Sequence, residues 1–191
     1  QAAMQEDLTR CITARMQALT LNLAAPAAGE LGPIILARQA EVLRDQLADA
    51  VAKGAKILCG GRILEHEGGL WCEPTVLIQV TQDMKIMREE TFGPIVPIAA
   101  FTDEDEAVRL ANDTDFGLSA TVIGAEDDAI RLGERLNAGG VWINDFDTMG
   151  GVGDRAEKTA FGISGLGGTR YGPGGFMRFL RKKALVIRAV A

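Results

Sequence analysis

Glu89 and Glu90 stand side by side and lead through Thr91-Phe92-Gly93-Pro94 into the apolar run 95–101. Two carboxylates can work as general acid and base where both reach one substrate atom. Adjacent side chains point apart, so these two cannot share such an atom. Read locally, the stretch is a turn in which Gly93 and Pro94 set the backbone and the carboxylates keep it solvated. A Ser-His-Asp or Cys-His arrangement would have to use His66, the one histidine, and its surroundings, Leu64-Glu65-His66-Glu67-Gly68, read as an exposed loop. The three cysteines, Cys11, Cys59 and Cys72, have no C-x-x-C spacing, so neither a disulfide framework nor a zinc site is expected. Their contexts are a helix, a strand and the neighbour of Trp71, which suit inert buried or half-buried thiols. No catalytic residue and no metal ligand is expected among these groups.

Two further stretches invite a ligand. Gly162-Ile163-Ser164-Gly165-Leu166-Gly167-Gly168 is rich enough in glycine to cradle an anion. A dinucleotide fingerprint should leave a strand and open a helix, whereas this run meets Thr169-Arg170-Tyr171-Gly172-Pro173 first. A packed structural loop, a phosphate loop and a loop lining a pocket all remain open. Arg178, Arg181, Lys182, Lys183 and Arg188 form a basic cluster near the C-terminus. The cluster overlaps the β-branched run 184–190, which is expected to be a terminal strand added to a neighbouring sheet, with nucleic-acid binding as the weaker alternative.

The elements that must position these residues follow from periodicity. Residues 8–21 place Leu8, Ile12, Met16 and Leu19 near a 3.6-residue period, so a helix is expected there, with Asp7 as its cap. A second helix is expected over 36–53, stopped by Gly54. Strands are expected at 56–59, 75–80, 95–101, 119–123 and 141–144, and helices at 104–111 and 127–136. The middle of the chain therefore alternates strand and helix, which implies an α/β fold with a largely parallel sheet covered on both faces. The domain division expected is 1–175 and a C-terminal segment 176–191.

With 191 residues, the chain can bury a hydrophobic core without disulfides or metals. A net charge of −6 argues against broad binding to nucleic acid or anionic membranes. No apolar run approaches the roughly 20 residues of a membrane span. The start, Gln1 to Asp7, has neither the basic nor the apolar region of a signal peptide, and a reducing, cytoplasmic setting is expected.

Three stretches in a fixed order carry a family resemblance: PTVLIQVTQDMKIMREETFGPIVPI over 74–98, DEDEAVRLANDTDFGLSATV over 103–122 and LNAGGVWIND over 136–145. With QEDLTRCITARMQALTLN near the start and the later ELGPII, the chain resembles the C-terminal half of the aldehyde dehydrogenase superfamily over nearly its whole length. The resemblance implies a three-layer α/β sandwich of the aldehyde-dehydrogenase catalytic domain and use of NAD or NADP. It implies that the second carboxylate of the E-E-x-F-G-P motif, Glu90, hydrogen-bonds the nicotinamide ribose and that Phe92 packs beside the nicotinamide. An acceptor-only carboxylate suits two ribose hydroxyls, and an aromatic edge holds a flat ring for hydride transfer.

The resemblance further implies that Asn144, Phe146 and Phe161 lie near the aldehyde-binding tunnel, and that the C-terminal strand joins copies of the chain in a homo-oligomer. The chain departs from the family at KTAFGISGLGGTRYG, which is shortened and altered against the family's P-F-G-G-x-K-x-S-G-x-G-R-E pattern. The family's nucleophilic cysteine, in a G-Q-x-C context, is expected a few residues before Gln1, and its Rossmann-like domain earlier still. The expected function is thus that of the C-terminal part of an aldehyde dehydrogenase, inactive alone. The alternative is a stand-alone oligomerisation or interaction module without chemistry.

Overall fold

The structure is a computed structural model that describes residues 1–25, 27–146, 156–157, 159–165 and 172–186. The chain forms two compact units, Gln1–Leu110 and Ala111–Ala191.

The first unit opens with helix α1, Gln5–Ala18, preceded by a 3-10 turn over Ala2–Met4. The helix starts before the expected Leu8. Asp7 lies inside the first turn and pairs with Arg10 at 2.9 Å, so it does not cap. Helix α2, Ala37–Ala52, buries Ala40, Leu43, Leu47 and Ala50, spaced three and four apart on one face. It ends as expected just before Gly54, whose φ of +101° glycine adopts without a Cβ penalty.

Strands β1 (Lys56–Cys59), β4 (Thr75–Ile78) and β5 (Ile95–Ile98) make a sheet in the order β1-β4-β5. β1 runs antiparallel to β4, and β4 runs parallel to β5, with Thr75 opposite Ile95 and Ile78 opposite Ile98. Between β1 and β4 lies a hairpin that periodicity did not reveal, β2 (Ile63–His66) and β3 (Gly69–Cys72). Its turn residues Glu67 and Gly68 both have positive φ, the geometry of a type I′ turn. Glu-Gly is a weak signal for that turn beside Asn-Gly or Asp-Gly, which is why His66 read as loop. His66 instead ends a strand, exposed, with its ring edge-on to Trp71 at 6.2 Å.

The single-turn helix α3, Lys85–Arg88, joins β4 to β5. Leu43, Leu47, Cys72, Leu77, Met84 and Ile95 meet between α2 and the sheet as the buried core. Helix α4, Glu104–Asn112, starts as expected at residue 104, just after Asp103, whose carboxylate accepts from the Glu106 N–H at 2.8 Å. The Glu106 carboxylate in turn accepts from the Thr102 N–H at 2.8 Å, a near relative of the capping box.

In the second unit, β7 (Ala120–Val122) and β8 (Val141–Ile143) pair in parallel across helix α5, Glu126–Gly133, which packs on both. This is the crossover expected from the alternation. Past Gly133 the chain tightens into i→i−3 hydrogen bonds at Arg135 and Leu136, so the helix is shorter than 127–136. A short antiparallel pair, β6 (Phe116–Gly117) with β9 (Phe161–Gly162), completes the described strands. Gly139 is required where it stands, because a Cβ there would lie 1.9 Å from the Thr159 carbonyl oxygen.

The C-terminal segment forms a 3-10 turn over Gly175–Phe179, and residues 180–186 have no regular structure. The expected strand 184–190 is therefore not formed at 184–186, and 187–190 lie outside the described residues. Among the described residues no strand pairs with 184–186; the strand was expected on a neighbouring sheet, that of another copy of the chain.

Candidate functional site

The segment from Asp83 to Gly93 lies along α2. At its start, Lys53 Nζ donates to the Asp83 carbonyl at 2.5 Å and pairs with Asp49 at 3.0 Å. Asp49 accepts from the Lys85 backbone N–H at 2.8 Å at the start of α3, and Lys85 Nζ pairs with Asp45 at 2.6 Å. Those contacts hold the Asp49 carboxyl below its usual range, first through the Lys85 backbone bond and then through Lys53.

The turn itself meets α2 at three side chains on one face, Gln39, Leu43 and Gln46. Gln39 Nε2 donates to the Thr91 carbonyl at 2.5 Å. Leu43 packs against Gly93, where an added Cβ would lie 2.7 Å from Leu43 Cδ2. Gln46 is fully buried, and its Nε2 reaches the Glu89 carboxylate at 3.5 Å and the Glu90 carbonyl at 3.4 Å. The result is a turn tied by its backbone whose side chains are released outward. Glu90 is exposed, and Phe92, at a φ of +43°, leaves 76% of its surface open. A non-glycine residue at that φ is uncommon, and here it turns an aromatic ring into solvent.

Phe92, Gly93 and Pro94 line an apolar cavity of about 460 Å³, together with Ile34, Ile35, Leu36, Gln39 and Cys72. Its volume lies within the 300–1,000 Å³ range usual for ligand sites. The turn exposes an acceptor carboxylate at Glu90 two residues from an aromatic ring at Phe92 that lines the hollow, groups chemically able to take hydroxyls and a flat ring. Glu90 and Phe92 are thus brought onto one turn. A second, more polar cavity of about 900 Å³ lies along α1, lined by Thr9, Thr13 and Gln17 with Leu58, Ile78 and Gln79.

Asn144, Phe146 and Phe161 belong to the second unit. Asn144 has a φ of +56°, and its side-chain amide engages Gly124 twice, accepting from the N–H at 2.9 Å and donating to the carbonyl at 3.0 Å. Phe146 is 76% exposed, and Phe161 is paired in β9 opposite Gly117. The described start of the glycine-rich stretch is packed, since the Ser164 hydroxyl accepts from Gly117 N–H and Ile163 N–H donates to Asp115. Its residues 166–170 lie outside the described residues.

Of the thiols, Cys11 is exposed, contrary to the buried or half-buried setting expected, because it falls on the solvent face of α1. Burial pushes the Cys72 thiol up to about 11 and raises that of Cys59 as well. Gln39 and Gln46 escaped the sequence reading. The available signal was Gln46 itself, a polar residue between Leu43 and Leu47 on a stripe that is otherwise apolar. Among the described residues, no helix is long and apolar enough to cross a membrane.

The chain is thus a mixed α/β protein with an exposed acidic, aromatic turn beside an apolar hollow. Comparison with known proteins gives the family. Residues 1–185 match the model of the aldehyde dehydrogenase family. The chain belongs to that family. It is 45% identical over 115 residues, 60% of this chain and 24% of the relative, to the succinate-semialdehyde dehydrogenase [NADP(+)] of Deinococcus radiodurans. The crystal structure of a Staphylococcus aureus betaine aldehyde dehydrogenase mutant in complex with NAD+ superposes with a TM-score of 0.85 at 31% identity, covering 96% of this chain and 37% of that one. The PutA structure from Anabaena variabilis gives a TM-score of 0.90 at 46% identity, covering 97% of this chain and 40% of that one. A relative from Mycobacterium ulcerans matches 97% of this chain at 33% identity, yet the chain spans only 36% of that relative's length.

Proposed function

We propose that this chain is the C-terminal part of an NAD(P)-dependent aldehyde dehydrogenase that oxidises an aldehyde to a carboxylic acid. The observation that carries the reading is the E-E-x-F-G-P turn, with Glu90 exposed and Phe92 open beside the apolar cavity. A bound nicotinamide supplies the hydride acceptor. Toward it, Glu90 accepts hydrogen bonds from the ribose hydroxyls, and Phe92 holds the ring edge and excludes water. The resemblance puts the family's nucleophilic cysteine ahead of Gln1, and the thiols of Cys59 and Cys72, whose pKa values burial raises, do not suit that role. Asn144, Phe146 and Phe161 contribute to the aldehyde side of the complete enzyme. The segment 176–191, with Phe179, Leu185 and Val186 exposed, joins copies of the chain, and the free thiols suit a reducing, cytoplasmic setting.

The gene upstream of the Gln1 codon tests this reading. An open frame reaching Gly-Gln-x-Cys within about a dozen codons is the expected result. A stop or start codon there would overturn it in favour of a stand-alone module. The chain by itself should show neither esterase nor dehydrogenase turnover, and activity insensitive to cysteine reagents would refute the placement of the nucleophile.

A further inference from the structure

Gln46 is the one polar side chain on the buried stripe of α2, and a purely structural role does not account for it. Its Oε1 is buried with no hydrogen-bond partner, a cost that a methionine of similar length would remove. Its Nε2 reaches two acceptors on one short segment, the Glu89 carboxylate and the Glu90 carbonyl. Seven residues earlier on the same face, Gln39 holds the Thr91 carbonyl, and Leu43 between them closes on Gly93. The two glutamines therefore hold the two successive peptide groups that flank Thr91, Glu90–Thr91 and Thr91–Phe92, while the Glu90 and Phe92 side chains stay exposed.

We propose that Gln46 is a positioning residue for the cofactor: it sets where the Glu90 carboxylate stands by holding the Glu90 carbonyl and steering the Glu89 carboxylate away. This rests on the reading of Glu90 as a ribose-binding group. Gln46 touches no cofactor atom, and it acts through the turn.

The test uses the complete gene product, with NADH and NADPH as probes in equilibrium fluorescence titration, and amide hydrogen exchange of residues 89–93 in the cofactor-free protein. Q46M keeps length and loses the donor. It should weaken binding about three- to tenfold, the loss of one or two ordinary hydrogen bonds, and speed exchange at 89–93, with an unchanged or higher Tm. Q46E adds a carboxylate facing Glu89 and should weaken binding further. The double variant Q46E/E89Q exchanges donor and acceptor and should recover part of that loss, which a general packing defect would not do.

E90Q is the reference. If E90Q weakens binding while Q46M leaves both binding and exchange at wild-type values, the positioning role is overturned and the cofactor reading stands. If E90Q binds both nucleotides as the wild type does, the cofactor reading falls, and this inference with it.

Discussion

Substituting Gly93 by alanine tests whether the turn is seated on α2 as the structure has it. The backbone at Gly93 is outside the left-handed region, so alanine meets no conformational penalty there. The added Cβ would stand 2.7 Å from Leu43 Cδ2 and 3.0 Å from Cδ1. Carbon atoms settle near 3.5–4.0 Å, so the overlap is about 1 Å against a side chain with no exposed surface. Overpacking of this kind costs about 1–3 kcal/mol. For a chain of this size that lowers Tm by roughly 2–12 °C. Leu43→Ala alone leaves a cavity and costs about 2–5 kcal/mol, but it also removes the atoms that alanine at 93 would strike.

In the Leu43→Ala background, Gly93→Ala should therefore cost less than about 0.5 kcal/mol, giving a coupling of about 0.5–3 kcal/mol between the two sites. Thermal unfolding followed by Trp71 fluorescence, in a Trp142→Phe background, confines the readout to the first unit. Additive effects of the two substitutions, or a harmless Gly93→Ala, would refute the seating of the turn on Leu43.

Further expectations follow from other contacts. Asn144→Ala loses both bonds to Gly124 and places alanine at positive φ, costing about 2–3 kcal/mol, whereas Asn144→Gly should recover the backbone part; equal losses in denaturant melts would argue against that account. The native chain should react with a thiol reagent at Cys11 first. Cys72, with a pKa near 11, carries about one thiolate in a thousand at pH 8 and should stay silent until denaturant is added. Fast modification of Cys72 in the native state would contradict its burial.

Asp49 has a folded-state pKa below its ordinary 3.8, so its contribution to stability is complete above that value and is lost as pH falls through the folded pKa. Asp49→Asn should flatten the acid limb below about pH 4, without removing it, because Asp83 and Glu106 are lowered as well. An acid limb identical to the wild type would sink the assignment.

The main helices, the sheet strands and the α/β class were legible because burial marks the sequence, α2 by apolar residues three and four apart and β4 by a continuous β-branched, apolar run. What escaped lay where local chemistry competes with pattern. The β2–β3 hairpin turns on Glu67-Gly68, which spells no strong turn, and Asp7 was preferred by its local bonding over capping. The terminal run 184–190 has strand composition, but composition cannot supply a partner. For the candidate site, the turn residues Glu90 and Phe92 were legible through resemblance, since an exposed acid and an exposed ring look like ordinary surface by themselves. Gln39 carried no signal and Gln46 only that of a polar residue on an apolar stripe, because what they hold is a segment about fifty residues away in sequence.

That separation explains how so short a helix as α3 and so irregular a turn can be held still. Helix α3 has a single turn, below what a helix sustains by its own hydrogen bonds. Its N-terminus is capped from α2 by Asp49, its Lys85 is paired to Asp45, and the chain beyond it is bound by Gln46, Gln39 and Leu43. Every one of these partners lies on α2, and most are polar side chains flanking its apolar stripe. The apolar stripe fixes α2 on the sheet, and the polar edge then fixes the segment 83–93 on α2. A turn placed in this way inherits the rigidity of the core while its carboxylate and ring stay exposed, as the proposed cofactor role of Glu90 and Phe92 requires. Its loosening should therefore show first as faster amide exchange at 89–93, before any loss of helix α2.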